Sequence, residues 1–326
     1  MRVFVAGGAG YVGSRLVPEL LKQGHEVVVF DLYLYGKTVL QAHPKLTEIK
    51  ADLRDFKAVD TALKGCDAVI HLACISNDPS FELNPALGKS INLDAFEPFV
   101  ELAKKHKVKR FIYASSSSVY GVKSEPNVTE TMSLEPLTDY SKFKAECEKI
   151  LLKHADAFTC TILRPATVCG YAPRQRLDVV VNILTNLAYH TGQVKVMGGN
   201  QMRPNIHIED MVRAYLLVLE APAAKIHKQI FNVGYHNHTV LQLGKMVQTI
   251  VGKKRPVELK VEPTNDNRSY HVSSEKIAKE LGFKPKYSIE NAVEDLVAAF
   301  DAGKLSDSLK NPLYFNIQTM KNVQLT

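Results

Sequence analysis

MRVFVAGGAGYVG, residues 1–13, is the stretch whose reading decides the fold. RVFVA, residues 2–6, reads as a short buried strand. Glycines follow at 7, 10 and 13 as G-x-x-G-x-x-G, and residues 14–23 then place Leu16, Leu20 and Leu21 at helical spacing. A strand running through tight glycines into a helix leaves backbone N–H groups unpaired at the helix start. Those groups and the helix dipole suit a pyrophosphate. Glycine is needed where the chain turns sharply, or where backbone, ligand and sheet approach closely. A second strand, 26–30, ends in Asp31, 18 residues after Gly13. A carboxylate there accepts hydrogen bonds from an adenosine ribose diol and repels a 2′-phosphate. NAD is therefore favoured over NADP, with Lys37 nearby pulling the other way.

Working outward, the 326 residues suffice for one large domain or two intimate ones, and 45% hydrophobic with 23% charged residues is a globular composition. The first strand begins at Arg2, which leaves no room for a signal peptide, and no apolar run approaches the roughly 18 residues of a spanning helix. Five cysteines (66, 74, 147, 160, 169) form no C-x-x-C pair, a set that fits reduced thiols in a cytoplasmic protein. The sequon Asn127-Val128-Thr129 is incidental in that compartment. The net charge of +7 is spread out, without a long Lys/Arg block or aromatic–basic interleaving. It reads as solvated surface with a pull on anionic small substrates, and no nucleic acid or membrane partner is expected.

Along the chain, candidate strands at 2–6, 26–30, 47–50, 68–72, 110–115 and 158–163 alternate with helical patterns near 14–23, 55–64, 85–107 and 139–153. Such alternation predicts an α/β fold, a doubly wound parallel sheet of Rossmann type covered on both faces. Ligands in these sheets sit beyond the carboxyl ends of the strands, so the chemistry should follow each apolar run. After the third strand, Asp52 is placed to accept from an adenine amino group and Leu53 to pack on the ring, while Asp55 can cap the next helix. After the fourth comes His71-Leu72-Ala73-Cys74-Ile75-Ser76-Asn77, whose small residues let a flat cofactor approach the backbone. His71 there reads as structural, and Asn92 as a buried amide bridging local backbone.

After the fifth strand stand Ser115, Ser116, Ser117 and Ser118, and then Tyr140-Ser141-Lys142-Phe143-Lys144. Tyr140 and Lys144 are four apart and share a helix face. Tyrosine, with an ordinary pKa of about 10, is a poor base at neutral pH. A neighbouring ammonium and a positive nicotinamide ring both favour tyrosinate. A tyrosine so tuned takes a proton from a secondary alcohol while hydride leaves the carbon, and a serine hydroxyl holds the same oxygen.

On these residues the chain resembles an extended short-chain dehydrogenase/reductase of the nucleotide-sugar epimerase/dehydratase branch, over roughly residues 1–300. The resemblance implies that Ser116, Tyr140 and Lys144 are catalytic. It implies an NAD site made by Gly7, Gly10, Tyr11, Val12, Gly13 and Asp31, then Asp52, Leu53, Leu72, Ala73 and Asn92, with Tyr140 and Lys144 at the nicotinamide ribose. Residues 1–172 would form the NAD-binding domain, 173–326 a nucleotide-sugar-binding lobe, and segments near 204–234 would return to the first.

In the second half, Leu163-Arg164-Pro165-Ala166-Thr167-Val168-Cys169-Gly170 resembles the family's R-P-x-x-V-Y-G turn, with Cys169 replacing tyrosine and Thr167 standing where many epimerases have asparagine. Arg174, Arg176, Asp178 and Asn182 resemble a substrate-lobe helix. Residues 199–210 resemble G-x-Q-x-R-x-x-x-H-V-x-D, with Arg203 a phosphate or ribose ligand and His207 and Asp210 structural. Arg268 falls on the family's second diphosphate arginine. The implied substrate contacts are Asn77, Ser117, Thr167, Arg174, Arg176, Arg203 and Arg268. A homodimer through the helices after Asn92 and Tyr140 is implied, no metal is expected, and the tail 301–326 receives no role.

Dehydratases of the branch carry Asp-Glu immediately after the catalytic hydroxyl. Here those positions are Ser117 and Ser118, and Ser118 also replaces the cysteine of the related 3,5-epimerase/reductases. The expectation is an NAD-dependent nucleotide-sugar 4-epimerase. A 4-dehydrogenase or 4-ketoreductase acting on a nucleotide hexose or heptose is the alternative, and a non-catalytic NAD-binding scaffold a third.

Overall fold

The computed structural model describes residues 1–36, 38–76, 78–264 and 269–323. Its strands are β1 (Arg2–Ala6), β2 (Glu26–Asp31), β3 (Leu46–Lys50), β4 (Ala68–His71), β5 (Arg110–Ala114), β6 (Thr159–Pro165), β7 (Thr167–Cys169), β8 (Gln193–Met197), β9 (Met202–His207), β10 (Gln229–Val233), β11 (Asn237–Thr239) and β12 (Glu258–Glu262). The helices are α1 (Gly13–Lys22), α2 (Phe56–Ala62), α3 (Asp78–Glu82), α4 (Pro85–Lys89), α5 (Phe96–Lys105), α6 (Asp139–Lys153), α7 (Val180–Thr191), α8 (Ile208–Glu220), α9 (Ala223–Ile226), α10 (Val240–Gly252), α11 (Glu275–Leu281), α12 (Ile289–Asp301) and α13 (Asn316–Asn322).

Seven parallel strands form the central sheet in the order β10-β6-β5-β4-β1-β2-β3. The order reverses direction between β1 and β4, where the doubly wound α/β fold opens a crevice beyond the strand ends. Side chains alternate across the sheet. Val3 and Val5 pack with Leu16 and Leu20 of α1 and Met211 and Tyr215 of α8 on one face. Phe4 and Val28 pack with Val59, Phe99 and Leu151 of α2, α5 and α6 on the other. A third core, Val181, Leu184, Val194, Leu243, Val247 and Val293, joins α7, α10 and α12 to the two-stranded β8–β12 sheet.

Within 204–234, α8 packs on the first face of the central sheet and β10 pairs with β6 at its edge. β9 instead joins β7 and β11 in a three-stranded sheet. Ile277 and Phe283, further along the chain, also pack into the first face of the central sheet. The helical pattern near 85–107 is realised in three pieces: α4, a π-helical turn over Ser90–Asp94, and α5. The wide turn carries Asn92, whose side chain leaves the helix to meet the loop after β4. Such insertions commonly mark functional regions.

His71, at the end of β4, is 5% exposed and ringed by Phe96, Phe99, Phe111 and Tyr113. Burial, with the Lys144 charge second, pushes its imidazole down to about 3 from the usual 6.5. Between those values the unfolded chain binds a proton that the folded protein refuses, so stability falls as pH drops through that window. In urea titrations, His71→Phe should therefore lose about 2 kcal/mol less than the wild type on going from pH 7 to pH 5.

Candidate functional site

The loop between β1 and α1 is compressed against its neighbours. Gly7 has φ +80°, and a β-carbon there would lie 2.7 Å from the Ala73 nitrogen; one on Gly13 would lie 2.5 Å from the Gly8 carbonyl oxygen. The Gly7 N–H donates to the Phe30 carbonyl at 2.9 Å, and the Gly10 N–H to the Gly7 carbonyl at 3.1 Å. Asp31 ends β2 and braces this loop: its Oδ2 accepts from the Ala9 N–H at 3.0 Å and its Oδ1 from the Tyr33 N–H at 2.7 Å. Burial raises the Asp31 carboxyl, and those N–H bonds oppose the rise. Gly7, Gly10, Tyr11, Val12, Gly13 and Asp31 all line one cavity of about 540 Å³, with Asp52, Leu53, Leu72 and Ala73 continuing its wall.

Three residues of this group have partners that the sequence did not disclose. Asp52 is forked onto Arg54, with Oδ2 to Nη2 at 2.6 Å and Oδ1 to Nε at 3.0 Å. Burial would raise its carboxyl, but the Arg54 hydrogen bonds hold it below the usual range. Its carboxylate is thus committed to an ion pair, while Asp55 caps α2 through the Ala58 N–H at 3.1 Å. Asn92 is absent from the cavity wall. Its Oδ1 accepts from the Ile75 N–H at 2.8 Å and its Nδ2 donates to the Ile75 carbonyl at 2.9 Å, so it clamps the loop that forms the wall. The Tyr11 hydroxyl donates to the Gly170 carbonyl at 2.6 Å and accepts from Asn182 at 3.0 Å, tying the glycine loop to the segment after β7.

On the opposite wall, Ser116 caps the short 3₁₀ turn Ser117–Tyr120, its Oγ accepting from the Ser118 N–H at 3.1 Å. Tyr140 lies in the first turn of α6, which Thr138 and Ser141 open with a capping box. Lys144 follows one turn later and is buried. Its ammonium donates to the Ala114 carbonyl at 2.6 Å and stands 5.9 Å from the Tyr140 ring centre. Ser116, Ser117, Tyr140, Lys144 and Thr167 all reach the same cavity as the glycine loop.

Beneath the serine loop is a buried network that the sequence reading missed. Arg164 of β6 grips Glu148 of α6 bidentately, Nη2 to Oε2 at 2.6 Å and Nε to Oε1 at 2.9 Å. The Ser115 hydroxyl donates to the same Oε1. Arg164 also donates to the Tyr120 hydroxyl, which donates to Asn232 of β10, both at 2.7 Å. A signal was present: Tyr140, Lys144 and Glu148 recur every four residues along one helix face.

From the second lobe, Arg176 pairs with Asp178 at 2.6 Å and Arg203 stands 5.7 Å from the Tyr270 ring centre; both line the cavity. Arg174 also lines it but sits on the glycine-loop side. Its backbone N–H donates to Ser14 at 3.2 Å, and its guanidinium lies 3.5 Å from the Tyr35 ring centre. Burial pushes that guanidinium down to about 10, and among the described residues its Nε has no hydrogen-bond partner. Asn77 and Arg268 lie outside the described residues. The tail, given no role above, contributes Asn316 and Met320 to the wall. Among the described residues no cluster of three His, Cys, Asp or Glu is placed to hold a metal ion, and no helix is long and apolar enough to cross a membrane.

A model of the NAD dependent epimerase/dehydratase family matches residues 3–234. The chain belongs to that family. It is 29% identical over 320 residues to a UDP-glucose 4-epimerase of Lactobacillus helveticus, covering 91% of this chain and 95% of the relative. It is 27% identical over 335 residues to a dTDP-glucose 4,6-dehydratase of Streptomyces niveus, covering 96% of each. The crystal structure of UDP-glucose 4-epimerase from Thermotoga maritima with UDP-glucose superposes with a TM-score of 0.82 at 28% identity, covering 93% of this chain and 99% of that one. NAD is the cofactor of the family, and the crevice fits it: without β-carbons the glycine loop lies against Leu72 and Ala73 and the start of α1 against the Gly7 and Gly8 carbonyls, the close strand-to-helix turn that a pyrophosphate site requires.

Gly13→Ala should weaken NADH binding by about tenfold or more in a fluorescence titration, because a methyl group must displace the Gly7 and Gly8 carbonyls. Glu148→Gln leaves Arg164 charged, buried and uncompensated, and should cost about 3–5 kcal/mol in urea unfolding.

Proposed function

We propose that this protein is an NAD-dependent nucleotide-sugar 4-epimerase. One observation carries the reading. Ser116, Tyr140 and Lys144 converge on a cavity wall facing the glycine loop, while the two positions after Ser116 are serines and not the acid pair that elimination of water employs. The set is equipped for oxidation and reduction at a ring alcohol and lacks the side chains for dehydration.

NAD, when bound, supplies a reversible two-electron hydride acceptor; Gly7, Gly10, Val12, Gly13 and Asp31 would hold its adenosine and pyrophosphate side, and Lys144 its nicotinamide ribose. Tyr140 removes the C4 hydroxyl proton, and Ser116 holds the same oxygen. The Lys144 amine stands one helical turn from the phenol, 5.9 Å from its ring centre, and a cation beside a tyrosine stabilises the phenolate of the reaction. The buried Glu148–Arg164 network keeps the serine loop in register with α6. Arg203 binds the nucleotide diphosphate, as a guanidinium suits phosphate oxygens. Once C4 is a ketone, the sugar turns so that hydride would return to its opposite face, and Tyr140 gives the proton back to the C4 oxygen.

The test is incubation of the purified protein with NAD and UDP-glucose. The expected result is the C4 epimer of the sugar with no net change in absorbance at 340 nm. Stoichiometric NADH would identify a dehydrogenase, and a 4-keto-6-deoxy product a dehydratase. Tyr140→Phe should lower turnover by about 10²–10⁴-fold with an unchanged melting temperature; full activity in that variant would remove the proposed base.

A further inference from the structure

The last described segment of the chain lines the cavity through Asn316 and Met320. On one side Tyr314 and Phe315 pack against Leu177, Leu296 and Phe300, and the Leu177 N–H donates to the Tyr314 carbonyl at 2.8 Å. On the other side Met320 packs against Ile75, Leu87 and Ile91, and α13 lies beside α3. The segment is thus fastened to both halves of the molecule, and Asn316 stands between the two fastenings.

Asn316 is 2% exposed, and three of its polar atoms point to three different residues of the wall. Its Oδ1 accepts from Arg174 Nη2 at 2.5 Å. Its Nδ2 donates to Ser76 Oγ at 2.7 Å. Its backbone N–H donates to Asp178 Oδ2 at 2.7 Å. Asp178 accepts from Arg176, which in turn reaches Ser76 Oγ at 3.4 Å. Ser76, Arg176, Asp178 and Asn316 therefore close a ring of hydrogen bonds on the cavity wall, and Arg174 hangs from it toward Tyr35 and the glycine loop. An asparagine is suited to the centre of such a ring because it offers an acceptor and a donor on one short side chain. Held this way, two long and otherwise mobile guanidinium side chains lose less freedom when a ligand arrives.

We propose that Asn316 is a positioning residue for the site, fixing Arg174 on the cofactor side and the Ser76–Arg176–Asp178 wall on the sugar side, so that the C-terminal segment is a working part of the ligand chamber. The sugar half of this statement rests on the epimerase reading above; the cofactor half rests only on membership of the NAD-dependent family. In the 326-residue protein, Asn316→Ala should raise the NADH dissociation constant and the KM for UDP-glucose, each by about tenfold, with kcat changed by less than about threefold. Asn316→Asp keeps the acceptor for Arg174 but loses the donor to Ser76. It should hold NADH within about twofold of wild type while the KM for UDP-glucose stays raised, which separates the two halves. Leu309→Ala, an exposed change in the same segment, should alter neither value.

Melting temperatures and far-UV circular dichroism establish that the variants fold; should Asn316→Ala fail to, Asn316→Asp carries the test. NADH and UDP-glucose parameters within twofold of wild type in the folded variants would overturn the proposal. If the wild type itself ignores UDP-glucose, the epimerase reading fails for that sugar, and the NADH titrations still decide whether Asn316 positions Arg174.

Discussion

There is no room for a β-carbon at Gly7 or Gly13, and the rest of the molecule is arranged around that fact. The backbone of the first loop lies against Ala73 at the end of β4, and the start of α1 lies against the carbonyls of Gly7 and Gly8. This close approach puts the helix N-terminus beside the reversal point of the sheet. The adjacent carboxylate of Asp31 then braces the loop through two backbone N–H groups. A dinucleotide needs this narrow turn at a helix N-terminus, and a side chain at Gly7 or Gly13 would force the turn apart.

The opposite wall is held by charge in place of close packing. Glu148, Arg164, Tyr120 and Asn232 come from a helix, a strand, a 3₁₀ turn and a second strand, and each is buried. An isolated guanidinium or carboxylate at that depth would be strongly unfavourable. Bidentate pairing and the flanking hydroxyls satisfy both groups and specify one arrangement of the serine loop over α6. Ser116 and Tyr140 owe their shared position to this network as much as to their own elements. The third support, the C-terminal segment, works between lobes: its apolar ends dock on different cores, and its polar centre orders the arginines facing the cavity.

Much of the fold was legible because it follows from local periodicity. RVFVA, EVVVFD and AVIH are too short and too apolar to be anything but buried strands, and the helices between them carry one apolar stripe each. The pattern near 85–107 was legible as helical, but its π-helical turn was not, because that turn carries Asn92, whose amide clamps Ile75 of the loop after β4. The Tyr140–Lys144 pair was legible for the same local reason, since four residues make one helical turn.

The sequence by itself determined the glycine-lined loop, the parallel sheet that follows from strand–helix alternation, and the phenol beside a lysine on one helix face. Only the tertiary structure decided that Arg174 faces the glycine loop and that Asn316 closes the wall. The first set depends on spacing along a few residues, which a chain carries wherever it goes. The second depends on which side chains meet across the fold: Asn316 and Ser76 are 240 residues apart, and no periodicity spans that interval.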